Sequence, residues 1–247
     1  MALIRIGRVK IGDSPRLVAT ITAPQLPAQL AAARTAGADL AELRLDYIAH
    51  LPEEKIVDAA RKAAAASALP LIATLRLPRE GGARQDGVVA DEKRREAVFK
   101  AVLPHVQAVD IELSSPILAE VAAAARKAGV TVIVSYHHFQ STPSLSRLRA
   151  LAQLAKAKGG DVVKIVTTAA TPVDLERLIS LLQDRPGFPV AAFAMGKHAL
   201  LSRVVAHYFH SCLLYGALAE KRGQVPAAPG IPTLAELKTA LTQLHLQ

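Results

Sequence analysis

From Arg16 onward, short β-branched apolar runs alternate with stretches whose apolar positions recur at helical spacing. The runs fall at 16–22, 40–46, 70–77, 108–113, 131–136, 162–166, 190–195 and 211–214, and the helical stretches at 25–36, 52–66, 91–103, 116–128, 144–158, 172–182, 198–210 and 234–246. Eight of each in steady alternation predict a parallel sheet covered by helices, since a crossover between parallel strands must pass over a sheet face. Gly37 and Gly129 sit where helix C-caps belong, and Pro52, Pro116 and Pro172 where first turns belong. Ser115 and Thr171 precede two of these prolines as candidate N-caps.

Eight βα units in a chain of this length predict an α/β fold of the TIM (β/α)8 barrel type. The open doubly wound sheet is the rival architecture, but its Gly-rich turn is absent after the first run, where Thr20-Ile-Thr-Ala-Pro24 stands. Within residues 1–15, Leu3-Ile-Arg-Ile-Gly-Arg-Val-Lys-Ile11 alternates with period two and predicts a short hairpin closing the barrel floor. No linker divides the chain, so 1–247 reads as a single barrel domain. The longest irregular stretch, 221–232, carries Pro226, Pro229 and Pro232 and reads as a lid over the last strand.

Composition narrows the classes. With 51% hydrophobic and 21% charged residues the chain can bury a large core, which argues against disorder. It contains no apolar run near the ~18 residues that span a bilayer, and its first ten residues lack a signal-peptide pattern, so a soluble, cytoplasmic protein with no membrane partner is expected. Cys212 is the only cysteine and its setting reads as core packing. The net charge of +9 draws anions, yet the basic residues are scattered and aromatics make up only 4% with no Trp. Nucleic-acid binding is therefore not expected. His207 and His210 lie three apart on a helical stretch, too few ligands for a metal, and no cofactor motif stands out.

Chemistry concentrates where the strands end, which in a barrel is where active sites form. Lys164 lies between Val163 and Ile165, a position that would hold the amine among apolar groups and make it a nucleophile. His137 closes a neighbouring run, and the two together suggest imine chemistry with a proton shuttle. Glu42, Arg44 and Asp46 alternate onto one face of their run; Thr74, Arg76 and Glu80, then Asp110 and Glu112, follow on the next two. Met195-Gly196 and Ser202-Arg203 come after the seventh. Each charged residue alone reads as a structural ion pair, but a whole mouth of them reads as a site, because buried ion pairs stabilise poorly compared with apolar packing.

The ordered set Glu42-x-Arg44-x-Asp46, Thr74-x-Arg76 with Glu80-Gly81-Gly82, Asp110-x-Glu112, Ser135-Tyr-His-His-Phe139 with Thr142-Pro143, Val163-Lys164-Ile165, Met195-Gly196 with Ser202-Arg203, and Gly223-Gln224 resembles the type I 3-dehydroquinate dehydratase family. The resemblance implies an eight-stranded barrel, often dimeric, that dehydrates 3-dehydroquinate to 3-dehydroshikimate without a cofactor. It makes Lys164 the Schiff-base lysine, His137 the general base and acid, and Glu80 the carboxylate assisting it. Glu42, Arg44 and Arg76 would hold the ring of the small anionic substrate, Arg203 and Gln224 its carboxylate, with Asp46, Asp110 and Met195 in support. Two departures stand out. His138 occupies a position usually Asp or Asn, and the lid reads Ala219-Glu-Lys-Arg-Gly-Gln224 where the family carries Ser and Ala before Pro-Gly-Gln. Competing readings are another Schiff-base barrel enzyme such as a class I aldolase, whose phosphate nest is scarcely signalled, and a non-catalytic anion-binding barrel, which would have no need of both Lys164 and His137.

Overall fold

A computed structural model of the protein describes residues 4–22, 26–83, 86–218 and 228–244. Strands β1 (Ile4–Ile6) and β2 (Val9–Ile11) form an antiparallel hairpin. Eight parallel strands follow: β3 (Arg16–Ile21), β4 (Leu40–Arg44), β5 (Leu71–Thr74), β6 (Ala108–Glu112), β7 (Thr131–His138), β8 (Val162–Thr168), β9 (Val190–Met195) and β10 (Leu213–Ala217). Each pairs with the next in chain order from β3 to β9, and β10 returns to pair with β3. The seam between β9 and β10 is bridged by the Cys212 amide on the Val190 carbonyl at 2.9 Å and the Ala192 amide on Ser211 Oγ at 3.1 Å. This is the expected TIM barrel.

The outer helices among the described residues are α1 (Leu26–Thr35), α2 (Glu53–Ala66), α3 (Glu92–Val102), α4 (Leu118–Lys127), α5 (Leu145–Ala157), α6 (Pro172–Gln183), α7 (Ala199–Tyr208) and α8 (Leu234–Gln243). Strands β4, β5, β6 and β9 are buried along their whole length, as parallel strands with a filled interior on one face and helices on the other must be. Each helix supplies a stripe at helical spacing, such as Leu148, Leu151, Ala152 and Ala155 of α5. Burying one such leucine contributes about 1.5–3 kcal/mol. Among the described residues no helix is long and apolar enough to cross a membrane.

The hairpin closes the floor as expected. Thr131 Oγ1, at the start of β7, donates to the Arg5 carbonyl at 2.6 Å, Arg8 donates to the Ala68 carbonyl at 2.7 Å, and Ile6 and Ile11 are buried.

Local punctuation is partly as predicted. Gly37 and Gly129 end α1 and α4 at positive φ, and the Asp174 carboxylate accepts from both the amide and the hydroxyl of Thr171 ahead of Pro172. Pro52, however, is the cap residue of α2 rather than its first turn. Ser115 does not cap α4, which begins at Leu118; its hydroxyl instead accepts from buried Arg95 at 3.0 Å. Strand β4 stops at Arg44, because Leu45–Ile48 turn as a 3-10 helix, and β10 runs three residues beyond its predicted end.

Candidate active site

The strands' carboxyl ends open on a cavity whose walls include Glu42, Arg44, Arg76, Glu80, His137, Lys164, Met195 and Arg203. Lys164 sits mid-strand in β8, paired with Ser135 of β7 and Ala191 of β9. Strand alternation sends Val163 and Ile165 the opposite way, so the lysine's own face looks into the barrel. Its Nζ donates to Asp110 Oδ2 at 2.9 Å and lies 3.6 Å from Glu42 Oε1. The expectation of apolar surroundings is thus corrected: the amine is buried, but its companions are carboxylates. Burial alone would raise the Asp110 carboxyl; the charges of Arg76 and Lys164 hold it far below the carboxylate range.

His137 ends β7 beside Glu80, which is carried by a 3-10 turn, Pro78–Glu80. The Glu80 carboxyl would be raised by burial, but hydrogen bonding and charge from His137, with help from Ser114 and Arg76, hold it below its ordinary value. Burial and the Arg76 charge push the His137 imidazole down to about 4 against the pull of Glu80. At neutral pH the pair is therefore a carboxylate beside a neutral ring. The 3.2 Å contact between Nδ1 and Glu80 Oε2 then requires the hydrogen on Nδ1, which leaves the Nε2 lone pair for a proton acceptor's role. Ser114 donates to the other Glu80 oxygen at 2.6 Å and fixes the carboxylate plane.

The three arginines differ in what they have left to offer. Arg44 forks onto Asp46 with two bonds of 2.8 Å, possible because the turn after β4 brings fully buried Asp46 back toward it; strand alternation had been the predicted cause. Arg76 donates to Ser135 (2.7 Å), Asp110 (2.6 Å) and Glu112 (3.1 Å), so it chiefly orders the carboxylates around Lys164. Glu112 is in turn clamped by fully buried Arg95 from behind. Arg203 is 1% exposed and, among the described residues, donates only to the carbonyls of Tyr215, Ala194 and Ala199. Among the described residues it has no carboxylate partner, and burial pulls its guanidinium down to about 9. With Nε and Nη1 spent on these carbonyls, Nη2 keeps its hydrogens, and a buried cation at a cavity wall is suited to an anionic ligand.

Several residues were invisible to sequence reasoning. Tyr215 and Phe193 line the cavity from β10 and β9, with the Lys164 Nζ 3.8 Å from the Tyr215 ring centroid and the Arg203 guanidinium carbon 4.4 Å from that of Phe193. Apolar runs give no sign of which aromatic faces a cation. Met195 lines the cavity as expected. His138 does not: its Nδ1 meets the Ser141 backbone and its ring stacks on Tyr136. Helix α7 ends at Tyr208, before His210, and no cluster of three metal-ligating side chains occurs among the described residues.

Gln224, Gly223 and the lid residues Glu220, Lys221 and Arg222 lie outside the described residues. Of the stretch 221–232 expected to be a lid, residues 228–232 are described, and Ala228 and Ile231 line the cavity. Gly196 donates to the Pro229 carbonyl at 3.0 Å. Gly230 has φ +66°, and a Cβ there would lie 2.5 Å from the Gly196 oxygen, so only glycine lets the lid meet the strand end this closely.

Lys164 among its carboxylates, the neutral His137 ring and Arg203 thus stand together at one mouth of a parallel barrel, the arrangement of an α/β-barrel enzyme. Comparison with known proteins sharpens this. The family model for type I 3-dehydroquinase matches residues 17–247. The chain is 32% identical over 247 residues to the 3-dehydroquinate dehydratase of Methanosarcina barkeri, covering 98% of this chain and 100% of that protein. It is 34% identical over 208 residues to that of Pyrococcus abyssi, covering 84% and 88%. The crystal structure of 3-dehydroquinate dehydratase from Geobacillus kaustophilus superposes with a TM-score of 0.88 at 22% identity, over 98% of this chain and 96% of that one. The chain belongs to the type I 3-dehydroquinase family, and is by that membership a dehydratase, a carbon–oxygen lyase.

Proposed function

We propose that the protein removes water from 3-dehydroquinate to give 3-dehydroshikimate, a step of the shikimate pathway of aromatic amino acid biosynthesis, through an imine on Lys164. One observation carries the reading: the Lys164 amine, the neutral His137 ring and Arg203, which has no carboxylate partner among the described residues, line a single cavity. Once it gives up a proton, the Lys164 amine adds to the ring ketone, and the ketone oxygen leaves as water, forming a C=N bond that is cationic when protonated. That cation is an electron sink. His137 Nε2 takes the proton from the adjacent carbon, and the C–H electrons flow into the C=N to give an enamine. As the enamine electrons return, the imidazolium gives its proton to the departing hydroxyl, and water then hydrolyses the imine to release product and lysine. Glu80, ionised and bonded to Nδ1, stabilises the imidazolium between the two transfers.

Arg203, with Gln224, holds the substrate carboxylate, while Glu42, Arg44 and Arg76 meet the ring hydroxyls and Asp46, Asp110 and Met195 hold the wall behind them. In this reading the 247 residues act as one catalytic domain, in the cytoplasm and as a homodimer; light scattering on the purified protein tests the last point. The mechanism is tested by incubating the protein with 3-dehydroquinate, reducing with borohydride and locating the added mass. A stable adduct on Lys164 is expected, and ordinary turnover by Lys164→Ala would overturn the imine.

A further inference from the structure

The contacts of the Lys164 nitrogen are of two kinds. Asp110 at 2.9 Å and Glu42 at 3.6 Å attract it through its hydrogens, whereas the Tyr215 ring, centred 3.8 Å away, attracts its positive charge. The distinction matters along the reaction just proposed. An ammonium has three N–H donors and a protonated imine has one, so hydrogen bonding to the carboxylates weakens on imine formation. An aromatic face does not depend on the number of hydrogens and keeps its hold on the cation throughout.

The ring is fixed where it is needed. Tyr215 is 3% exposed, its strand register with Val18 is set by the β10–β3 ladder, its carbonyl accepts from Arg203 Nε at 2.7 Å, and its ring leans on Phe193 at 5.9 Å. Burial, with Glu42 and Asp110 nearby, keeps its phenol proton on well beyond the ordinary range, so the ring adds no third anion beside the lysine. Its hydroxyl is buried without a hydrogen-bond partner among the described residues, a cost that phenylalanine or leucine would avoid.

Resting on the imine reading, we propose that Tyr215 is a further catalytic residue, whose ring face carries the iminium charge on Lys164 while His137 removes the proton. Two variants and the trapping reaction test this. Tyr215→Phe keeps the ring and is expected to hold kcat within about threefold. Tyr215→Leu is expected to lower kcat on the order of tenfold, the size of one such cation–ring contact, with KM nearly unchanged and less adduct trapped by borohydride at saturation. Should Tyr215→Leu fail to fold, singly to triply fluorinated phenylalanines at position 215 decide the matter, because fluorine weakens the ring's attraction for cations with little change of shape. A stepwise fall in kcat with fluorine count is expected, and a flat series, or a Leu variant as fast as the parent, would overturn the proposal. Failure of the imine reading itself looks different: the parent protein would then give no adduct on Lys164.

Discussion

His137 and Glu80 are joined twice, for the ring Nδ1 at 3.2 Å and the backbone amide at 3.1 Å both meet the same carboxylate oxygen. The double contact fixes the ring's rotation as well as its tautomer, and burial keeps it uncharged. The acid limb of kcat/KM due to this group is therefore expected near pH 4 rather than near the ordinary imidazole value of about 6.5. A pH–rate profile measures it directly, and Glu80→Gln is expected to cost about 10–100-fold in kcat through lost support of the imidazolium.

The same depressed ring affects stability. Between pH 6.5 and about 4 the unfolded chain binds a proton at His137 that the folded chain refuses, so this contribution to stability falls as pH falls through that window. Melting temperature measured from pH 7 to pH 4.5 should drop less steeply in His137→Gln than in the parent.

Arg203 is a cation waiting for an anion. Arg203→Lys keeps a charge but loses the planar fork, and is expected to raise KM by about 10–100-fold with a smaller change in kcat, the range for a charged hydrogen bond. An unchanged KM would place the substrate carboxylate elsewhere.

Behind the cavity, Arg95 and Glu112 are both fully buried and bonded to each other. Arg95→Met leaves Glu112 with only part of its compensation and is expected to destabilise the fold by about 3–5 kcal/mol in urea titration. Arg76, which shares Glu112, should lose its alignment, so kcat falls even where the variant remains folded.

Gly230→Ala forces a methyl against the Gly196 oxygen in a backbone conformation that alanine resists. The lid is expected to seat less closely, raising KM several-fold without altering the pH profile.

The fold was legible because strands and helices here keep their own periods: β-branched runs such as Val162-Val163 and stripes such as Leu148 to Ala155 leave little room for another architecture. The ionic half of the site was legible too, since Glu42, Asp110 and Lys164 are conspicuous in buried strands and Arg76 lies two residues past the end of one. What escaped was carried by shape. Asp46 reaches Arg44 through a turn that alternation does not foresee, and Tyr215 sits in a strand extended past Leu214 through Gly216, a residue that weakens any strand pattern. The amine's surroundings were misjudged because Val163 and Ile165 are its neighbours in sequence but lie on the other face. The lid was matched at Gly223-Gln224, while the described run that touches the cavity is Ala228 to Ile231.

The hairpin lies under a barrel whose own side chains already fill its interior, so the cavity opens at one end only among the described residues. In the proposed reaction, reactant, expelled water and product would then share the aperture at the strands' carboxyl ends, with Ile6 and Ile11 buried at the other end. Departure of one molecule then precedes arrival of the next, and spent product competes with fresh reactant for the same doorway.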